Sequence, residues 1–300
     1  ARSTSIHDEM MPRSIVVGND APDEKVVYFN DGKGRFSFAG TFGEAKWPTR
    51  NVTVVDLNRD GRPDIVVANR GGNANRSANY ICLNDGRGHF PKCHMLSSDS
   101  ATTIAAGDLN GDGLPDLVVP HRDNGQSYLF INDGKGGFAE KHPFGPAKSA
   151  TRAIALGDLN GDGRPDIVIG DEASGGALLY FNQGGLKFSE PMLIAEKTDN
   201  PYSIAIADLN GDGAMDFIYD GAGVSCSANA NLMCSEIGCE LNVMVGEDQH
   251  NFIVLGWSVE KLGDRMVLRT KQSGLLLNKP QDGTYDLVFD NTQKAWVEVK

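Results

Sequence analysis

The sequence predicts an all-β fold, a β-propeller of four-stranded antiparallel blades with six blades, and three observations point there. A nine-residue acidic motif recurs at spacings of 52, 50 and 50 residues. A polar, glycine-rich turn ending in an aromatic recurs out of phase with it, and glycine makes up 36 of 300 residues, against a typical share of about 7%. Excess glycine without a collagen period means many turns, and many turns in this length mean short strands. No ten-residue stretch carries the 3.6-residue periodicity of a helix bundle or an α/β sheet.

Along the chain, each unit is justified by the same markers. Arg13 to Gly18 lies fifty residues before Pro63 to Ala68, so the chain opens inside a first blade whose acidic loop has decayed to Ile6, Asp8 and Met10. Its turn runs from Asn30 to Phe36. The second blade carries the acidic motif from Asp56 to Asp64 and the turn from Asn84 to Phe90. In the third, Thr102 to Gly107 enters the loop Asp108 to Asp116, and Asp116 to Val119 leaves it. Ser127 to Ile131 and Phe138 to Lys141 then flank an Asn-Asp-Gly turn, a strong hairpin signal. The fourth repeats the pattern at Asp158 to Asp166 and Asn182 to Phe188. The fifth has the loop Asp208 to Asp216, a cysteine-bearing insertion over 221–239 between its second and third strands, and a weaker turn from Gly246 to Phe252. Met266 to Thr270, Leu275 to Asn278, Tyr285 to Phe289 and Ala295 to Val299 read as the four strands of a sixth blade without an acidic loop. The boundaries are 1–48, 49–98, 99–148, 149–198, 199–259 and 260–300, all within one domain. The alternatives are a seven-bladed ring and a separate C-terminal β-domain replacing the sixth blade and part of the fifth.

The acidic motif points to calcium. Asp at positions 1, 5 and 9 with Asn at position 3 crowds three carboxylates and a carboxamide into one short loop, and the peptide oxygen of position 7 adds a fifth oxygen. The sets are Asp56, Asn58, Asp60, Arg62 and Asp64; Asp108, Asn110, Asp112, Leu114 and Asp116; Asp158, Asn160, Asp162, Arg164 and Asp166; and Asp208, Asn210, Asp212, Ala214 and Asp216. Unit charges about 4 Å apart repel by about 1 kcal/mol in water and by more where water is thinned, so an inward-facing set favours a hard cation. Calcium accepts six to eight oxygens in flexible geometry, whereas magnesium holds its waters in a tight octahedron. The glycine at position 6 permits the reversal that turns ligands inward. Ordinary turn chemistry explains one such loop; it does not explain four with identical oxygen positions. Without a Glu at position 12 and with strands on both sides, these are not EF-hands, and the ions are expected to be structural, about four per chain.

These loops, with the Asn-Asp-Gly-x-Gly-x-Phe turn downstream, resemble the FG-GAP/VCBS repeats of integrin-type β-propellers. The resemblance is strong over the second to fifth blades and rests on strand pattern alone in the first and sixth. It implies a calcium-bearing propeller, secreted, periplasmic or on a cell surface, that serves adhesion or lectin-like recognition or carries enzymes such as polysaccharide lyases.

In that topology the acidic loops share one face, and the opposite rim gathers the starts of the first strands and the ends of the second. Arg50, Arg70, His121, Arg122, Arg152, Asp171, Glu172 and Tyr202 fall there, with Asn69, Asp220 and the adjoining Trp47. Arginine forks and an aromatic ring suit a polar or anionic ligand, a saccharide or a protein surface. An enzymatic use would take His121 as base, or Tyr202 with Arg152 against a uronic acid. No nucleophile elbow, HExxH or phosphate-binding loop is present. Ordinary solvated surface is the competing explanation of the rim.

Twenty-eight Lys and Arg against 40 Asp and Glu give a net charge of −12, a poor field for nucleic acid. Four calcium ions would reduce it to −12 + 8 = −4. No stretch is apolar over the ~18 residues that a membrane span needs, so no membrane insertion is expected, and the opening at Ala1 is the one expected of a chain either processed or cloned without its leader. Cys82 and Cys93 flank the turn at Asn84 to Gly88 and are expected to form a cross-hairpin disulfide, which implies an oxidising compartment. Cys226, Cys234 and Cys239 crowd the insertion, where one further disulfide would leave one thiol over and zinc is the competing reading.

Overall fold

The computed structural model describes residues 3–5, 14–70, 78–194, 203–209, 215–220, 234–235, 238–245, 248–254, 256–262, 265–272, 283–290 and 295–299. Among them, six antiparallel sheets of four or five strands follow one another along the chain. No helix among the described residues is long and apolar enough to cross a membrane.

The chain divides into two compact units, 1–154 with 184–187, and 155–183 with 188–300. The first unit holds three sheets. The first is ordered Ser3–Ser5, Ile15–Gly18, Lys25–Asn30, Phe36–Phe42, and the second Thr49–Val55, Asp64–Asn69, Asn79–Leu83, Lys92–Ser97. The third runs Ala105–Gly107, Asp116–Val119, Gly125–Ile131, Glu140–Ser149. Each is a meander, because short polar turns return every strand beside its predecessor.

Asp64–Asn69 shows why the repeat stacks. All six of its residues are buried, and its side chains alternate between two cores, as period-two geometry requires. Ile65 and Val67 pack with Val16, Val27, Phe42 and Val52 against the first sheet. Val66 and Ala68 pack with Ile104, Leu117, Val119 and Phe130 against the third. Fully burying each such side chain contributes roughly 1.5–3 kcal/mol, so a second strand that is apolar on both faces holds three sheets together.

In the second unit, Asp166–Asp171, Gly176–Tyr180 and Met192–Leu193 complete a sheet whose first strand, Thr151–Gly157, is where the chain passes from one unit to the other. Ala177 packs there with Ile194, Ile204 and Ile206. Ser203–Ala207, Asp216–Asp220, Gly238–Val245 and Asp248–Val254 form the fifth sheet, with the short strand Cys234–Ser235 added on Gly238–Val245. Its core joins Ala207, Leu209 and Ile218 to Leu268, Leu287 and Phe289 of the last sheet. That sheet is ordered Gly256–Leu262, Arg265–Gln272, Gly283–Asp290, Ala295–Glu298. Its first strand therefore starts at Gly256, inside the span that the sequence reading assigns to the fifth unit, because no acidic motif marks its entry. The expected strand at Leu275 to Asn278, the decayed loop at Ile6 to Met10 and most of the 221–239 insertion lie outside the described residues.

Candidate functional site

Three acidic loops are described in full and share one internal architecture. The position-1 carboxylate accepts backbone N–H groups from the far side of its own turn. Asp56 accepts from Asp60 at 3.2 Å and Gly61 at 2.8 Å. Asp108 accepts from Gly111 and Gly113, both at 2.7 Å, and Asp158 from Gly161 at 2.8 Å and Gly163 at 2.7 Å. Each position-3 Asn accepts the N–H of position 5, at 3.1, 2.8 and 3.1 Å. Each position-5 Asp accepts the N–H of position 7, at 2.9, 2.7 and 3.0 Å. Gly61, Gly113 and Gly163 hold φ of 80°, 81° and 82°, a region costly to side-chain-bearing residues. Backbone donors, fixed by this chain of turns, thus hold the loop oxygens in place.

Position 9 is different. Asp64, Asp116 and Asp166 are completely buried, and each carboxylate spans two elements. One oxygen accepts the position-2 N–H, from Leu57 at 3.1 Å, Leu109 at 3.1 Å and Leu159 at 2.9 Å. The other accepts the N–H of the asparagine that opens the glycine-rich turn, from Asn84 at 2.9 Å, Asn132 at 2.9 Å and Asn182 at 2.8 Å. The asparagine replies by donating its Nδ2 to the position-8 proline carbonyl, at 3.0, 2.9 and 3.2 Å. Asn132 also reaches Leu57 O in the preceding sheet at 2.8 Å. The two sequence markers are therefore one assembly, and this link was not read from the sequence. The signal that would have shown it is the equal 16-residue spacing from Asp116 to Asn132 and from Asp166 to Asn182, lengthened to 20 between Asp64 and Asn84.

Burial pushes the Asp64 carboxyl up to about 6 against the pull of its two N–H donors, with the charges of Asp60 and Asp56 adding to the rise. Asp116 and Asp166 are raised for the same reasons. The Asp158 carboxyl lies below its usual value, chiefly through the Gly163 N–H. Among the described residues, no three His, Cys, Asp or Glu side chains already converge as a metal cage. The donor set is nonetheless all oxygen, and a carboxylate offers about four lone-pair sites, of which two or three are used here. The residues fit a hard, oxygen-seeking cation. In the fourth loop Asp208 and Asp216 are described, with Leu209 N–H on Asp216 at 2.9 Å, whereas Asn210, Asp212 and Ala214 lie outside the described residues.

The rim residues separate into distinct groups. Backbone bonds stitch the strand exits of the first unit: Arg70 N–H to Pro48 O at 3.0 Å, Ala101 to Asn69 at 3.1 Å, Arg122 to Ser100 at 2.8 Å and Thr151 to His121 at 3.0 Å. On this frame Arg70 forks onto Asp123 Oδ1 at 3.3 and 3.0 Å, and Ser100 donates to the other oxygen. Burial acts to raise the Asp123 carboxyl, but the bonds from Ser100 and Arg70 outweigh it and leave it low and ionised. Asp123 and Ser100 were not among the expected rim residues; Asp123 reads as part of an Asp-Asn-Gly turn. Arg50 pairs separately with Asp20 at 2.6 Å.

Other expected rim groups are turned inward. Arg122 is buried, with Nη1 3.5 Å from Ala150 O. Trp47 is buried too and stacks on Tyr80 with centroids 3.9 Å apart, so its face is not offered to a ligand. His121 Nδ1 accepts the N–H groups of Asp123 and Gly125, both at 3.1 Å. That bonding places the neutral ring's proton on Nε2, making its free edge a donor rather than a base. Asp171, the second-unit counterpart of His121 within the repeat, likewise accepts from Ala173 at 2.8 Å and Ser174 at 3.1 Å, and Glu172 follows it half-buried. Arg152 is half-buried at the start of Thr151–Gly157. Tyr202 lies outside the described residues, as does the side chain of Asp220.

No curated protein matches the chain in sequence. Among solved structures, a lectin from Agrocybe aegerita, described as specifically recognising non-reducing terminal N-acetylglucosamine, is similar in fold with a TM-score of 0.57. It is 18% identical, and the alignment covers 100% of this chain and 84% of the lectin chain. The FG-GAP-like repeat model matches four times, at 15–67, 60–119, 108–169 and 158–219. These matches cover the acidic loops and their partner turns, and the chain belongs to the FG-GAP-like repeat family.

Proposed function

We propose that this protein is a secreted, calcium-stabilised β-propeller of six blades that binds carbohydrate on the rim opposite its acidic loops. The observation that carries the binding reading is the Arg70–Asp123–Ser100 cluster. Its Arg70 and Asp123 side chains keep 36% and 41% of their surface exposed, on a rim fixed by backbone bonds. A charged donor and a charged acceptor, held side by side and open to solvent, match the paired hydroxyls of a sugar. The whole-chain likeness in fold to a lectin supports the same class of ligand.

Calcium would be held by the position-1, -3, -5 and -9 oxygens and the position-7 carbonyl of each loop. When bound it supplies positive charge that offsets the crowded carboxylates. The protein's part is to preset those oxygens through its own N–H groups. The Cys82–Cys93 disulfide supports an oxidising compartment.

The experiment is a glycan array probed with the wild-type chain and with Arg70→Ala and Asp123→Asn. Saccharide binding that falls at least tenfold in both variants, with melting unchanged, is the expected result. An array without signal, or signal indifferent to both substitutions, would overturn this placement of the site.

A further inference from the structure

We propose that Cys234 and Cys239 form a second cross-strand disulfide, at the point where the 221–239 insertion rejoins the fifth sheet. In the ladder between Cys234–Ser235 and Gly238–Val245, Cys234 stands directly opposite Cys239 and Ser235 opposite Gly238. Two residues, 236 and 237, separate the innermost pair. Where a two-residue connection closes an antiparallel ladder, that pair exchanges the hydrogen bonds and the next pair outward does not. Non-hydrogen-bonded opposed residues share a face with Cα atoms about 4.5 Å apart, inside the ~4.4–6.8 Å range that a disulfide spans.

The same chain already uses this arrangement. Cys82 is directly opposite Cys93 in the second sheet, and the two are bonded at a Cα separation of 4.1 Å. Among the described residues, no histidine stands close enough to this pair to complete a zinc site. His250, the histidine nearest in the fifth sheet, is paired with Val243, four residues along the strand from Cys239. At ~3.3 Å per residue that is about 13 Å, too far to complete a site whose ligands lie ~2.0–2.3 Å from the metal.

Bond formation removes two protons and two electrons from the two thiols. A disulfide oxidant, such as glutathione disulfide or an oxidoreductase in its disulfide form, accepts them and leaves as two thiols, through a mixed disulfide. Five cysteines then resolve into two cross-strand bridges and one thiol, Cys226. The new bridge fastens the end of the insertion to Gly238–Val245, which pairs with both Asp216–Asp220 and Asp248–Val254.

Protein folded in a glutathione redox buffer, with Cys82–Cys93 as internal control, is blocked with N-ethylmaleimide in denaturant. It is then cleaved after Met233 with cyanogen bromide and after Glu236 with a glutamate-specific protease, which puts the three cysteines on three peptides. Mass spectrometry is expected to find 234–236 joined to 237–240 and Cys226 carrying maleimide. A Cys226 peptide joined to either other, or all three cysteines blocked while Cys82–Cys93 is intact, would overturn the assignment. Cys226→Ser supplies the second arm: the thiol titre in denaturant should fall from one to zero with the linkage unchanged, whereas a titre of two refutes it.

Discussion

Asp116→Ala and Asp112→Ala, compared in the presence of a chelator, separate what the acidic loops do as protein from what they do as metal ligands. Asp116 is completely buried and accepts N–H groups from Leu109 at 3.1 Å and Asn132 at 2.9 Å. Each hydrogen bond to a charged acceptor is worth about 1.5–3 kcal/mol, and an orphaned buried donor costs about 1–3 kcal/mol. Relief of the carboxylate's own desolvation offsets part of that, which leaves a loss of about 3–5 kcal/mol. Asp112 is exposed and accepts one backbone N–H, from Leu114 at 2.7 Å; its removal without metal costs under about 1 kcal/mol. At about 2.1 cal/mol/K of unfolding entropy per residue, a chain of 300 residues melting as one unit shifts by roughly 1.6 °C per kcal/mol. Scanning calorimetry in chelator should therefore show Asp116→Ala lower by about 5–8 °C and Asp112→Ala lower by under about 2 °C. With calcium restored, Asp112→Ala should lose stability relative to wild type as well. Equal shifts for the two variants in chelator would refute the division of labour between positions 5 and 9.

Further outcomes follow from other packed groups. Lys25 is fully buried, and its Nζ donates to Asp23 O at 3.0 Å, Ala45 O at 3.0 Å and Trp47 O at 2.8 Å. Lys25→Met removes all three hydrogen bonds, leaving Trp47 O with the Thr49 N–H at 2.9 Å, and should cost about 2–4 kcal/mol by urea unfolding. Cys82→Ser with Cys93→Ser opens a loop of eleven residues' separation and should cost roughly 3 kcal/mol; a midpoint insensitive to the double substitution would show that the bridge carries no stability. Gly163→Ala tests the loop backbone alone, since φ is 82° and nothing lies within 4 Å of an added Cβ. A loss of about 1–2 kcal/mol is expected from conformation alone, measured by thermal melting in chelator. Arg59 already occupies that region at position 4, with φ 56° where the other two fully described loops place Gly111 and Gly161, and its guanidinium reaches Gly113 O in the next loop.

The repeat carried most of the legible information. Spacing and oxygen positions marked the acidic loops, and the Cys82–Cys93 bridge followed from a turn whose flanks had to face each other. Less legible was anything decided by packing between repeats. An Asp at position 9 looks the same in sequence as one at position 1, yet burial between strands makes the former a structural hub. Trp47 reads as a rim aromatic because nothing local says that Tyr80, thirty-three residues on, will cover it. His121 reads as a candidate base until the turn that it caps is built. Asp123 was hidden for the opposite reason, because a turn-forming residue also serves as the partner of Arg70 and Ser100. The start of the last sheet at Gly256 lacked the acidic marker that timed the others.

The measurement that bears most directly on the calcium-stabilised fold is calorimetric titration of chelator-stripped protein with CaCl2, paired with melting in chelator and in excess calcium. Four sets of loop oxygens predict about four ions per chain. At a calcium concentration one hundred times Kd each site adds about 2.7 kcal/mol, so the three fully described loops alone should raise the midpoint by roughly 13 °C in a single-unit melt. No uptake of calcium, together with the same midpoint in chelator and in calcium, would contradict the assignment of the acidic loops to metal.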